Sequence, residues 1–260
     1  MQTAYERPEV IRNYLAKECS EGRVMGPLDP ASYPFVHTSR FGVIPKGSSG
    51  KWRLIVHMSV PEGASVNDGV SKPLSSLSYV GISDAAEGIR QLGAGALLAK
   101  IDVKSAYRNV PIHPDDRWLT GMIWEGALFI DTALPFGLRS APKISTALAD
   151  AAEWILRRAG VKFIIHYLDD FLIIGAPDSP ECKTALRIVI EIFEKLGFLL
   201  AIDKLDGPTT CLDFLGFELD SQRLEIRLSQ KKLTEPQLLV HQWVGKQSCI
   251  RKDLESLAGN

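Results

Sequence analysis

The sequence predicts an α+β fold, because its strands come in hairpin pairs, helices are interspersed among them, and no GxGxxG or phosphate-cradling loop follows a strand. From Ala96 onward the order reads strand, strand, helix, hairpin, helix, strand, hairpin. That order implies an antiparallel sheet covered by helices on one face rather than a βαβ repeat.

Each element has a local reason. Residues 8–20 form a helix: Pro8 suits its first position, Val10, Ile11, Tyr14 and Leu15 share a face, and Gly22 ends it. Residues 41–45 and 51–58 are strands around the Gly/Ser turn 46–50. A short helix covers 83–92, starting at Ser83. Residues 97–103 form a buried strand with Asp102 near its end, and 128–133 form another. Ser140 caps a helix running to Arg158, with Pro142 in its first turn and Gly160 just beyond. Residues 163–167 and 171–175 are apolar strands separated by Leu-Asp-Asp. Pro180 opens a helix whose apolar residues recur at helical spacing until Gly197 closes it. Short strands follow at 199–202, 211–219 and 224–228, and Pro236 interrupts an otherwise helical stretch from Gln230 to Trp243.

Composition bounds the function without naming it. The apolar and charged fractions, 45% and 23%, are those of an ordinary globular chain, and the net charge is −1. The basic residues are local: Arg40, Lys46, Lys51 and Arg53 fall in a stretch between Asp29 and Glu62 that has no acid, and Arg223, Arg227, Lys231 and Lys232 form a second group. The four cysteines are scattered, without CxxC pairs, which argues against a zinc site or a disulfide framework. With no signal-peptide core and no apolar run near the ~18 residues of a membrane span, a soluble intracellular protein is expected, cytoplasmic or nuclear, with no membrane partner.

The chemistry lies in HYLDDFLIIG, where Asp169 and Asp170 sit between two apolar strands, and in Asp102 near the end of LLAKID. An Asp-Asp pair can also be an ordinary turn, and Asp102 a cap or loop residue. Carboxylates held close repel unless a cation neutralises them, and magnesium bound through a few carboxylates and substrate phosphates supplies that cation.

These residues carry a resemblance to reverse transcriptases, from about Pro27 to Leu228. KIDVKSAYRNVPIHPDD resembles the family's first palm motif, LPFGLRSAPKIST its second, and YLDD its Tyr-x-Asp-Asp signature. LGFLLAIDK resembles the lysine-bearing motif that follows, CLDFLGFEL the primer-grip hairpin, and GVIPKGSSGKWRLIV the fingers hairpin. GPTTCLDFLGFELD and ALPFGLRSAPKI look most like retrotransposon enzymes of the DIRS-like, tyrosine-recombinase group.

The resemblance implies a right-hand polymerase with fingers, a palm built on an antiparallel sheet, and a partial thumb. Its divisions would be a helical extension over 1–26, fingers over 27–95, palm over 96–228 with a fingers insertion around 108–133, and thumb or connection over 229–260. It implies two magnesium ions, with manganese as an alternative, on Asp102, Asp169, Asp170 and the Val103 carbonyl. Tyr107 would lie beneath the incoming sugar and reject a 2′-hydroxyl. Lys46 and Arg53 would contact the triphosphate, Phe136 and Gly137 would form the template and nucleotide platform, and Lys204 would protonate the leaving pyrophosphate. Phe214, Leu215 and Gly216 would position the primer end, or else form a core hairpin.

The implied partners are an RNA or DNA template-primer, deoxynucleoside triphosphates and other retroelement domains absent from this chain. The expected activity is therefore RNA-directed DNA synthesis by a retrotransposon enzyme fragment. His57, where the family often has aspartate, and Pro236 depart from the pattern. They leave open an inactive descendant that binds nucleic acid or a protein partner. An RNA-dependent RNA polymerase would want a small residue where Tyr107 stands, and a generic metal nuclease would not explain the fingers and primer-grip motifs.

Overall fold

The computed structural model describes residues 2–45, 52–244, 246, 248–251 and 254–255. They form two compact units. The first comprises Met1–Tyr79, Val103–Ala152 and Gly197–Leu199; the second comprises Val80–Asp102, Glu153–Leu196 and Leu200–Asn260. No helix among the described residues is long and apolar enough to cross a membrane.

The first unit is built on a five-stranded sheet in the order Val24–Leu28, Ala127–Asp131, Gly121–Trp124, Thr38–Pro45, Trp52–His57. Its pairings are antiparallel except the short parallel contact of Thr38 and Ser39 with Gly121 and Met122. The helix Pro8–Ser20 forms as its spacing predicts. Ile11 and Leu15 are buried with Val24, Phe41, Val43, Val56, Met58, Met122 and Trp124, and Tyr14 and Val10 pack at the edge of this core.

The second unit holds a four-stranded, fully antiparallel sheet in the order Ile164–Tyr167, Asp170–Gly175, Leu97–Asp102, Asp206–Thr209. A three-stranded meander, Cys211–Phe214, Phe217–Asp220 and Glu225–Leu228, lies in the same unit. The antiparallel pattern is the expected one, but the coverage differs. Successive strand residues point to opposite faces. Leu172 and Ile174 pack with Ala85 and Ile89 of the helix Ile82–Leu92 and with Leu212 and Phe214 of the meander. Phe171, on the other face, meets Phe193 of the helix Glu181–Lys195 edge-on, with ring centroids 4.9 Å apart. Both faces are therefore covered, which is why Phe171–Gly175 is an unbroken apolar run.

Further departures have local causes. The strands Val24–Leu28 and Asp206–Thr209 each carry Gly-Pro, which reads as a turn in sequence. Both lie at sheet edges, where a proline's missing N–H can face away from the ladder. Gly121–Trp124 is too short for its pattern to stand out. Residues 199–202 form no strand: Gly197 takes φ +82°, Ala201 N bonds the Asp102 carbonyl at 2.9 Å, and a 3-10 turn follows over Ile202–Lys204. The helix expected from Ser83 starts at Ile82, where Asp84 accepts from the Gly81 N–H at 2.8 Å. Helix Gln230–Trp243 continues through Pro236, since a proline removes one backbone donor without forbidding helical dihedrals around it.

Candidate active site

In the second unit, antiparallel register sets Asp102 directly opposite Asp170, on one face with the pairs Lys100–Leu172 and Leu98–Ile174. Asp170 belongs to the strand rather than to the loop. The hairpin closes on Tyr167 opposite Asp170, so Leu168 and Asp169 form a two-residue turn. Leu168 takes φ +55°, a left-handed conformation that costs a leucine roughly 1–2 kcal/mol. The strain sits at the tip that aims Asp169.

The electrostatics are those of crowded acids. Burial, followed by the charges of Asp169 and Asp102, pushes Asp170 up to about 6. Burial, with Asp102 adding to it, also raises Asp169 above the usual carboxylate range. Lys204 Nζ lies 2.7 Å from Asp102 Oδ2, and that hydrogen bond raises the lysine's pKa. Lys100, Asp102, Asp170, Asp203, Lys204 and Asp206 line one open cavity.

Among the described residues no three His, Cys, Asp or Glu side chains are gathered closely enough to enclose a metal ion. The donor chemistry nevertheless fits magnesium. Hard carboxylate oxygens are its preferred protein ligands, one or two of them suffice when phosphates and water complete the shell, and the mutual repulsion at Asp170 is what a cation would relieve. Val103, buried, follows Asp102 directly.

The residues expected to position a primer end divide. Phe214 is a core side chain, 2% exposed, so its ring serves packing. Leu215 and Gly216, at φ +51° and +80°, make the two-residue turn of the meander, and Lys232 donates to the Leu215 carbonyl at 3.2 Å.

In the first unit, Tyr107 sits in a 3-10 turn, Ala106–Asn109, its ring centroid 5.0 Å from that of half-exposed Phe136. Gly137 takes φ +104°, and a Cβ there would strike the Val56 carbonyl oxygen. Asn67 fastens this segment: its Nδ2 donates to the Gly137 carbonyl at 2.8 Å, and its Oδ1 accepts from the Arg139 N–H at 2.7 Å. Arg53 is exposed on the strand Trp52–His57. Lys46 lies outside the described residues.

Residues 44–219 match the family model described as reverse transcriptase (RNA-dependent DNA polymerase). This chain belongs to the reverse transcriptase family. The Pro-Pol polyprotein of feline foamy virus is 26% identical over 128 residues, 49% of this chain and 11% of the relative. The Gag-Pro-Pol polyprotein of squirrel monkey retrovirus is 27% identical over 215 residues, 76% of this chain and 10% of the relative. The chain thus spans about a tenth of the length of such relatives. A foamy viral protease-reverse transcriptase in complex with double-stranded DNA superimposes with a TM-score of 0.73 at 22% identity, over 96% of this chain and 38% of the other. The same kind of enzyme in complex with an RNA/DNA hybrid gives 0.71 at 20% identity, over 98% and 30%. These likenesses show the expected α+β fingers-and-palm fold of a reverse transcriptase.

Sequence reasoning passed over Lys100, Asn67 and Arg108. Lys100 donates to the Asp213 carbonyl at 2.6 Å and lines the aspartate cavity. Its signal was a lone cation inside an apolar strand. Asn67 stands in a loop of small polar residues with nothing local to distinguish it.

Proposed function

We propose that this chain performs template-directed DNA synthesis on an RNA or DNA template, as the polymerase portion of a retroelement reverse transcriptase. The observation that carries the reading is the pairing of Asp102 with Asp170 across two antiparallel strands, with Asp169 in the adjoining tight turn.

In this reading residues 27–95 supply the fingers, 96–228 the palm with a fingers insertion around 108–133, and 229–260 a partial thumb or connection. Asp102, Asp169 and Asp170, with the Val103 carbonyl, are the residues that would hold magnesium or manganese. When bound, that metal supplies positive charge to the reacting oxygens of a phosphoryl transfer. The primer 3′-hydroxyl attacks the α-phosphorus of a deoxynucleoside triphosphate and pyrophosphate leaves. Lys204, held protonated beside Asp102, is the donor for that leaving group. Tyr107 blocks a 2′-hydroxyl, and Phe136 offers a stacking surface at Gly137. Arg53 and Lys46 offset triphosphate charge, and the Leu215–Gly216 turn supports the primer end. Catalysis then rests on positioning and charge.

The solved complexes with double-stranded DNA and RNA/DNA hybrid support a template-primer as partner, and the relatives' polyprotein names support other retroelement domains as further partners. The phrases ALPFGLRSAPKI and GPTTCLDFLGFELD support placement in the DIRS-like group.

Primer extension on an RNA template with magnesium tests the reading, comparing the wild type with Asp169→Asn. Extension by the wild type, lost in the variant, is expected. Extension that survives the substitution would overturn the metal assignment, and none by either protein would overturn the activity.

A further inference from the structure

Arg108 follows Tyr107 in the 3-10 turn Ala106–Asn109, yet its side chain is 2% exposed and committed on every arm. Its Nε donates to Glu18 Oε2 at 2.9 Å. Nη1 donates to the Ala133 carbonyl at 2.9 Å, and Nη2 to the Arg23 carbonyl at 3.1 Å. Nη2 also stands 2.7 Å from Asp131 Oδ1, an ion pair whose angle is poor for a hydrogen bond. Glu18, on the helix Pro8–Ser20, is gripped a second time by Arg23 through two bonds of 2.8 Å.

One guanidinium thereby ties together the N-terminal helix, the end of the strand Ala127–Asp131 and the turn that carries Tyr107. It also fastens the backbone at Ala133, three residues before Phe136, whose ring meets Tyr107. The turn needs such fastening. Ser105, at its entry, takes φ +54°, a conformation that a non-glycine residue keeps only when its surroundings impose it. A buried ion network of this kind adds little net stability over an apolar replacement, so its contribution is sought in the arrangement it selects.

We infer that Arg108 is a positioning residue for sugar discrimination, and that the Glu18–Arg108–Asp131 clamp sets where the Tyr107 ring stands against Phe136. The inference rests on the reading of Tyr107 as the residue beneath the incoming sugar. It also gives the N-terminal helix a part in nucleotide choice.

The test compares deoxy- with ribonucleotide incorporation in the wild type, Tyr107→Ala, Glu18→Gln, Arg108→Lys and a control, Arg12→Gln, on the exposed side of the same helix. Glu18→Gln and Arg108→Lys should lower discrimination by about tenfold while deoxynucleotide incorporation persists, with Arg12→Gln unchanged. Wild-type discrimination in both clamp variants, with Tyr107→Ala relaxed, overturns the clamp. Unrelaxed Tyr107→Ala overturns the sugar reading itself, and the clamp is then judged without catalysis. For that, and for any clamp variant that folds poorly, 3-fluorotyrosine at position 107 is observed by 19F NMR in Glu18→Gln, which keeps the shape of the buried side chain. A broadened or doubled line supports the clamp, and a single line identical to the wild type overturns it.

Discussion

Lys204 Nζ lies 2.7 Å from Asp102 Oδ2, so the lysine assigned to the leaving group sits on an oxygen assigned to the metal. In the proposed reading the two cations would compete for one carboxylate. Lys204→Met should slow single-turnover extension about a hundredfold at saturating magnesium, the usual scale for a lost proton donor. It should also lower the magnesium concentration that gives the half-maximal rate. A magnesium titration of both proteins reads the two effects, and an unaltered rate would leave Lys204 only its ion pair.

Asp170 titrates at about 6 because burial and the neighbouring carboxylates disfavour its charged form. A carboxyl raised above its unfolded value of about 3.9 stabilises the fold below that value, and the contribution is lost as pH rises through the folded pKa. Metal-free protein should therefore lose on the order of 1 kcal/mol from this group between about pH 4 and pH 7, after allowing for solvent screening. Asp170→Asn should melt about 2–4 °C above the wild type at neutral pH without metal, and level with it near pH 4. Added magnesium should narrow the neutral-pH gap. A variant less stable than the metal-free wild type at neutral pH would contradict this.

Gly137 combines a left-handed φ with a carbonyl oxygen where a Cβ would go. Gly137→Ala should destabilise the fold by about 2–3 kcal/mol, from backbone strain plus displacement of the Val56 strand. Urea unfolding gives the value, and a midpoint equal to the wild type's would mean that the backbone there relaxes freely.

Phe171, next to Asp170, is 1% exposed and meets Phe193 edge-on. Phe171→Ala should cost about 3–5 kcal/mol, because helix Glu181–Lys195 loses a large ring from the packed face. Denaturant unfolding measures the loss. A cost under about 1 kcal/mol would argue that this face of the sheet is not tightly packed.

Much of this was legible in the residues. Helices Pro8–Ser20 and Glu181–Lys195 announce themselves through helical spacing of apolar side chains, the strand ending in Asp102 through a run that is apolar apart from Lys100, and the strand after Asp170 through an unbroken apolar run. The edge strands Val24–Leu28 and Asp206–Thr209 did not, because Gly-Pro signals a turn locally and only sheet pairing overrides it. For Phe214 the motif left a primer contact and a core hairpin both open, and the ring is buried in the core.

The sequence by itself determined the acids, their order and the family pattern they fall in, since motif spacing is a property of the chain. Tertiary structure decided what each acid faces. Register placed Asp170 opposite Asp102, and Lys204 came to Asp102 across 102 positions of sequence. Arg108 found Glu18 90 positions away. Charge and hydrogen bonding act through space over a few ångströms, so the partners of a buried ion are set by the fold rather than by the sequence around it.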